Sequence, residues 1–168
     1  MFNIEANTSP QSYEAYVELN SQLEALLSGE RDLICNGAQF SAFIMQTLED
    51  LNWAGFYFSR GTELVLGPYM GKVACTRIPF GRGVCGAAAT SLKTQRIEDV
   101  HAFEGHIACD AMSASELVIP VVAEGKLIAV FDIDSPKVGR FSKVDQQGIE
   151  LLVDTFIQCT DFAWTFAE

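Results

Sequence analysis

Between Trp53 and Asp134 the chain abandons the hydrophobic period of its two ends, and that change limits the folds open to it. Near the start, Tyr13, Tyr16, Val17, Leu23, Leu26 and Leu27 recur at near-helical spacing. Ser9-Pro10 predicts the helix start, as a cap followed by proline at the first helical position, and Gly29 its end. A second helix is predicted over about Asp32 to Leu51, with Leu33, Ile34, Ala38, Met45 and Leu48 as apolar positions. At the other end, Ser142-x-x-Asp145 resembles a capping box. It opens a helix that carries Ile149, Leu152, Val153, Phe156, Ile157 and Trp164 on one side.

The middle reads differently. Trp53 to Phe58 is short and aromatic, as strands are, and alternation puts Trp53, Gly55 and Tyr57 on one face. Glu63 to Leu66 is predicted as the next strand, and Lys72 to Ile78, carrying Cys75, as a third. Gly81-Arg82-Gly83 opens a small-residue helix over Val84 to Leu92. Residues 98–115 show no regular period and are predicted as an excursion loop holding both histidines and Cys109. Glu116 to Val122 and Lys126 to Asp134 form a predicted hairpin around Glu124-Gly125. Helices flanking five or six consecutive short strands indicate an antiparallel sheet in an α+β fold. The 168 residues suit one domain spanning 1–168, with the first and last helices packed together on a sheet face or at a dimer interface.

A net charge of −11 repels phosphate backbones, so nucleic acid is an unfavourable partner. The first ten residues lack the basic and apolar regions of a signal peptide, and no apolar run is long enough to span a bilayer. The expected compartment is the cytosol. Five cysteines, an odd number with no C-x-x-C pair, do not make a disulfide scaffold. In a reducing compartment they serve as buried thiols, metal ligands or redox groups. The spacing of His101, His106 and Cys109 matches no standard zinc site, so no metal is expected.

The chemistry concentrates in three thiols, Cys75, Cys85 and Cys109, and three acids, Glu116, Asp132 and Asp134. Cys85 lies near a predicted helix N-terminus, which lowers a thiol pKa and makes it a nucleophile candidate. It reads equally as a small buried residue beside Gly86 and Ala87. Cys109, in the irregular loop, is placed to meet a substrate and then a second thiol. Cys75 reads either as a core position on its strand or as a resolving thiol. Cys35 and Cys159 read as packing residues on helices. Asp132 and Asp134 share a strand face, where repulsion and desolvation raise their pKa values and can keep one protonated as a general acid. Glu116 begins the neighbouring strand and can join them. Trp53 and Tyr57 offer either sheet packing or an aromatic wall for a small apolar group.

These motifs carry a family resemblance. Gly71 to Gly86 (GKVACTRIPFGRGVCG), Arg96-Ile-Glu-Asp-Val-His101 and Gly105-His-Ile-Ala-Cys-Asp110 resemble the free methionine-(R)-sulfoxide reductases, which are GAF-domain enzymes. Asn52 to Tyr57, Ser115 to Pro120 and Phe131 to Pro136 are similar as well, so the resemblance covers nearly the whole chain. It implies a GAF-like antiparallel sheet of about six strands with flanking helices, commonly in a homodimer. It implies Cys109 as nucleophile and Cys75 as its resolving partner, with Cys85 the middle cysteine, an alternate resolver or nucleophile. Glu116, Asp132 and Asp134 then line the substrate pocket, and Trp53 and Tyr57 form its apolar side. The implied substrate is free methionine-R-sulfoxide, the implied reductant thioredoxin or a similar dithiol, and no metal or organic cofactor is needed. A non-catalytic GAF module that binds a small molecule accounts for the fold, but not for three thiols together with acids; a redox-sensing switch that uses a disulfide without reducing a substrate is the third reading.

Overall fold

The structure, a computed structural model, describes residues 10–103 and 112–163. Helices α1 (Tyr13–Leu27) and α2 (Leu33–Thr47) lead into strands β1 (Trp53–Arg60), β2 (Glu63–Gly71) and β3 (Arg77–Pro79). Helix α3 (Gly83–Ser91) and strand β4 (Gln95–Ile97) follow, then a 3-10 turn at Val100–Ala102. The hairpin β5 (Ser115–Ala123) and β6 (Lys126–Ser135) precedes α4 (Lys143–Cys159). The strands form one antiparallel sheet in the order β3-β2-β1-β6-β5-β4. The α+β expectation holds. Among the described residues no helix is long and apolar enough to cross a membrane.

Alternation along the strands divides the core in two. Ala54, Phe56 and Phe58 of β1, Leu117, Ile119 and Val121 of β5, and Phe131 and Ile133 of β6 face α1, α2 and α4. At the centre of that layer the Phe40 ring meets Phe56, Phe131 and Phe156, with centroids 4.7–5.7 Å apart. The opposite face carries Trp53, Tyr57, Val118 and Val130 and packs on Val84, Cys85, Ala88 and Ala89 of α3. Helices α1 and α4 do pack together. The Tyr16 hydroxyl donates to Asp145 Oδ1 at 2.7 Å, and Thr155 donates to Asn20 Oδ1 at 2.7 Å. The capping box of α4 is present: the Ser142 side chain accepts from the Asp145 N–H, and Asp145 accepts from the Ser142 N–H.

Several boundaries differ from the sequence reading. The N-cap of α1 is Ser12, whose hydroxyl accepts from the Ala15 N–H, rather than Ser9. Helix α2 stops at Thr47, four residues early, because the chain turns at Leu48 toward β1. Strand β2 runs on to Gly71. Gly67-Pro68 look like a strand end, but they form a bulge where Tyr57 pairs with Leu66 and Gly55 with Tyr69. A bulge is where a strand tolerates proline. The third strand begins only at Arg77, so Cys75 lies in the connection from β2 and not on a strand. Val73, two residues before it, is 85% exposed. Strand β4 and the 3-10 turn were not anticipated; both are three residues long, too short to show a period. Cys109, His106 and Trp164 lie outside the described residues.

Candidate active site

Three elements converge on the α3 face of the sheet. The β5–β6 register sets Glu116 opposite Asp134 and Val118 opposite Asp132. The β1–β6 register sets Trp53 opposite Asp134 and Gly55 opposite Asp132. The even spacing of each strand therefore puts Glu116, Asp132, Asp134, Trp53 and Tyr57 on one face. Above them, Gly83 starts α3 and points Cys85 down at the strands. The Cys85 thiol donates to Glu116 Oε1 at 3.9 Å. Cys85 Sγ and one carboxylate oxygen each of Glu116 and Asp132 lie within 4.8 Å of one another. All three residues are buried, Cys85 at 4% exposure and each acid at 6%.

Burial decides their protonation. Desolvation, then the charges of Asp132 and Asp134, hold the Glu116 carboxyl well above the usual carboxylate range. Desolvation likewise pushes Asp132 up to about 7, against the hydrogen bonds with Cys85 and Glu116 that favour its ionised form. The Cys85 thiol is pushed well up by burial and then by the charges of Asp132 and Glu116. Of the two sequence readings of Cys85, this favours the buried residue over the activated nucleophile. The helix N-terminus is present, but its field contributes only about 0.3–1 kcal/mol. Burying a thiolate beside two acids costs several times that, on the order of several kcal/mol. Cys85 is thus a protonated thiol, as its reading as a buried residue requires.

Trp53 and Tyr57 belong to a buried aromatic layer that also takes in Tyr69. Trp53 stacks on Tyr57 at 5.7 Å and on Tyr69 at 5.3 Å. The Trp53 indole N–H donates to the Lys72 carbonyl oxygen at 3.2 Å. Tyr69 escaped the sequence reading because its strand was ended at Leu66; its signal lies in the cross-strand pair with Gly55. A Cβ at Gly55 would stand 2.3 Å from Tyr69 Cβ and 2.8 Å from Trp53 Cη2. The small residue lets the rings close over β1. The Tyr57 hydroxyl is pushed up by burial and then by the charge of Asp132.

Cys75 is half-buried and packs against the same apolar cluster as Trp53, Tyr57 and Cys85. It is disulfide-bonded, whereas Cys35, Cys85 and Cys159 are free thiols. The structure therefore gathers Cys85, Glu116, Asp132, Asp134, Trp53 and Tyr57 on one sheet face, with Cys75 beside them.

A six-stranded antiparallel sheet with this pattern of flanking helices defines a GAF domain, and residues 38–158 match the GAF domain family model. The chain is 49% identical over 157 residues to the free methionine-R-sulfoxide reductase of Escherichia coli (strain K12), covering 92% of this chain and 95% of that protein. It is 41% identical over 147 residues to the enzyme of the same name from Saccharomyces cerevisiae, covering 83% and 82%. The X-ray structure of free methionine-R-sulfoxide reductase from Neisseria meningitidis in complex with its substrate superposes with a TM-score of 0.86 at 36% identity, covering 95% of each chain. Within the GAF domain proteins, this chain belongs to the free methionine-R-sulfoxide reductase family.

Proposed function

We propose that the protein reduces free L-methionine (R)-S-oxide to L-methionine by thiol chemistry on the α3 face of the sheet. One observation carries the reading: two buried carboxyls of raised pKa stand beside an aromatic wall and a thiol. Membership of the family supports it. A sulfoxide sulfur accepts a nucleophile only when its oxygen is protonated or strongly hydrogen-bonded. Glu116 or Asp132, kept neutral by burial, supplies that proton. Asp134, in register with Glu116 and Trp53, serves with the ionised member of the group to hold the substrate ammonium. This demand selects a free amino acid, because the amine of a protein-bound residue is tied up in a peptide bond. Trp53 and Tyr57 pack the methyl group and favour one epimer.

Cys109 thiolate attacks the sulfur of the protonated sulfoxide; the hydroxyl passes from that sulfur to Cys109, so the substrate S–O bond breaks as a Cys109 S–O bond forms, and methionine leaves with Cys109 as a sulfenic acid. Cys75 then attacks that sulfur, forming a disulfide and releasing water. The disulfide state of Cys75 is in keeping with this resolving role. An external dithiol of the thioredoxin class returns the two electrons. Cys85, protonated and bonded to Glu116, serves the acid rather than attacking. We take the compartment to be the reducing cytosol and the working form to be a homodimer.

NADPH consumption with thioredoxin, its reductase and each epimer of free methionine sulfoxide tests the reading. Oxidation of NADPH with the R epimer alone is expected. No consumption, with saturable binding of another small molecule, would make the protein a ligand-binding GAF module instead. Cys109→Ser is expected to abolish turnover. Cys75→Ser is expected to release about one methionine per chain and then to recycle slowly, read by rapid quench. Full turnover in Cys109→Ser would overturn the cysteine assignment.

A further inference from the structure

We propose that Cys85, Glu116 and Asp132 form a binding site for a borderline divalent cation of the zinc class, and that the cation excludes the substrate. The donors come from three different elements, α3, β5 and β6, and their ligand atoms all lie within 4.8 Å of one another. In a tetrahedral zinc site, Zn–S near 2.3 Å and Zn–O near 2.0 Å place the sulfur and an oxygen about 3.5 Å apart. The Cys85 Sγ to Glu116 Oε1 separation is already 3.9 Å. A pair at the 4.8 Å limit needs to close by about 1.5 Å or less, which side-chain rotations supply.

The donor set selects the ion. One thiolate and two carboxylates suit a cation of intermediate softness. Magnesium and calcium require more oxygen donors, in octahedral or larger shells. Three protein ligands leave the fourth position of zinc open to water. A second observation points the same way. Asp132 Oδ1 is buried and has no hydrogen-bond partner, in a residue only 6% exposed. A buried acceptor left unsatisfied is costly, and a cation at the cluster relieves it. Binding displaces the protons held by the thiol and the carboxyls, so affinity rises with pH.

The exclusion of substrate rests on the function proposed above, since the ion would occupy the groups assigned to the sulfoxide oxygen. The ion need not take part in the reaction; it competes with it.

The test uses the full chain as Cys35→Ser/Cys159→Ser, with the Cys75 disulfide formed, so that Cys85 is the free thiol. Zn²⁺ binding is read by competition with a chromophoric chelator. One Zn²⁺ per chain is expected, and Cys85→Ser, Glu116→Gln and Asp132→Asn are each expected to weaken it about tenfold or more. Saturable binding that none of the three changes overturns the site, as does no binding at a large excess of Zn²⁺. Should a variant fail to fold, X-ray absorption on the Zn²⁺-loaded parent decides. One sulfur with oxygen neighbours supports the site, and a shell without sulfur overturns it. Free methionine (R)-sulfoxide is expected to lower the apparent Zn²⁺ affinity. If Zn²⁺ binds but the sulfoxide does not compete, the exclusion fails while the site stands. Metal-free NADPH turnover separately judges the reductase reading.

Discussion

At Asp132 the environment overrides the intrinsic acidity of a carboxyl. Its pKa of about 7 lies above the ordinary value of 3.8, so the folded chain keeps a proton that the unfolded chain releases. Between those values the unfolded state binds fewer protons, and stability falls as pH rises. Below 3.8 the difference vanishes, and above about 7 it is constant. Asp132→Asn removes the titration. The variant should therefore gain stability over the parent as pH rises from 5 to 8, on the order of a few kcal/mol. Urea denaturation at both pH values checks the sign, and an equal offset at the two would refute a protonated Asp132. The same substitution should slow sulfoxide reduction, because a carboxamide is a poor proton donor.

Helix packing carries the next constraint, in the seam between α1 and α4. Gly148 lies against Tyr16, and a Cβ there would fall 2.0 Å from Tyr16 Cγ. Tyr16 is buried, and its hydroxyl is tied to Asp145, so the ring cannot swing aside. Burial alone would raise Asp145, but bonds from Tyr16 and Ser142 and the charge of Arg140 outweigh it and hold the carboxyl low. Replacing glycine by alanine within a helix gains about 1 kcal/mol of propensity. Overpacking at such a contact costs about 1–3 kcal/mol or more. Gly148→Ala is therefore expected to destabilise, by about 1–2 kcal/mol net, read as a lower urea midpoint. A higher midpoint would show that the seam yields.

Across the whole molecule, the Phe40 cluster joins α2 and α4 to the two central strands. Phe40→Ala should cost about 3–5 kcal/mol, a large part of the 5–15 kcal/mol that typically holds a domain folded. Thermal unfolding should show a fall in Tm of many degrees. Because Phe56 and Phe131 alternate with Gly55, Tyr57 and Asp132 on their strands, loosening this layer also disturbs the opposite face that carries the site. Surface pairs such as Arg31 with Asp161 contribute little by comparison, because both side chains are more than half exposed.

The alternating strands, the Ser142 capping box and the terminal amphipathic helices are local signals. They made the α+β fold legible in the sequence, with Asp132 and Asp134 on one face of their strand and Trp53 and Tyr57 on one face of theirs; the register that joins the two faces came with the sheet. The motif resemblance gave the family. Boundaries at Leu48, Gly67-Pro68 and Gln95 were not legible, since a bulge, a chain reversal and a three-residue strand are set by what they pair with. Tyr69 stayed hidden for the same reason. The protonation of Cys85 also depends on tertiary structure. Its helix position predicts a thiolate, but packing α3 on the sheet removes water and brings two acids to the sulfur. By itself the sequence determined the fold class and which residues alternate onto a common strand face; the fold decided which of them hold protons, because desolvation is a property of the packed neighbourhood and not of the residue.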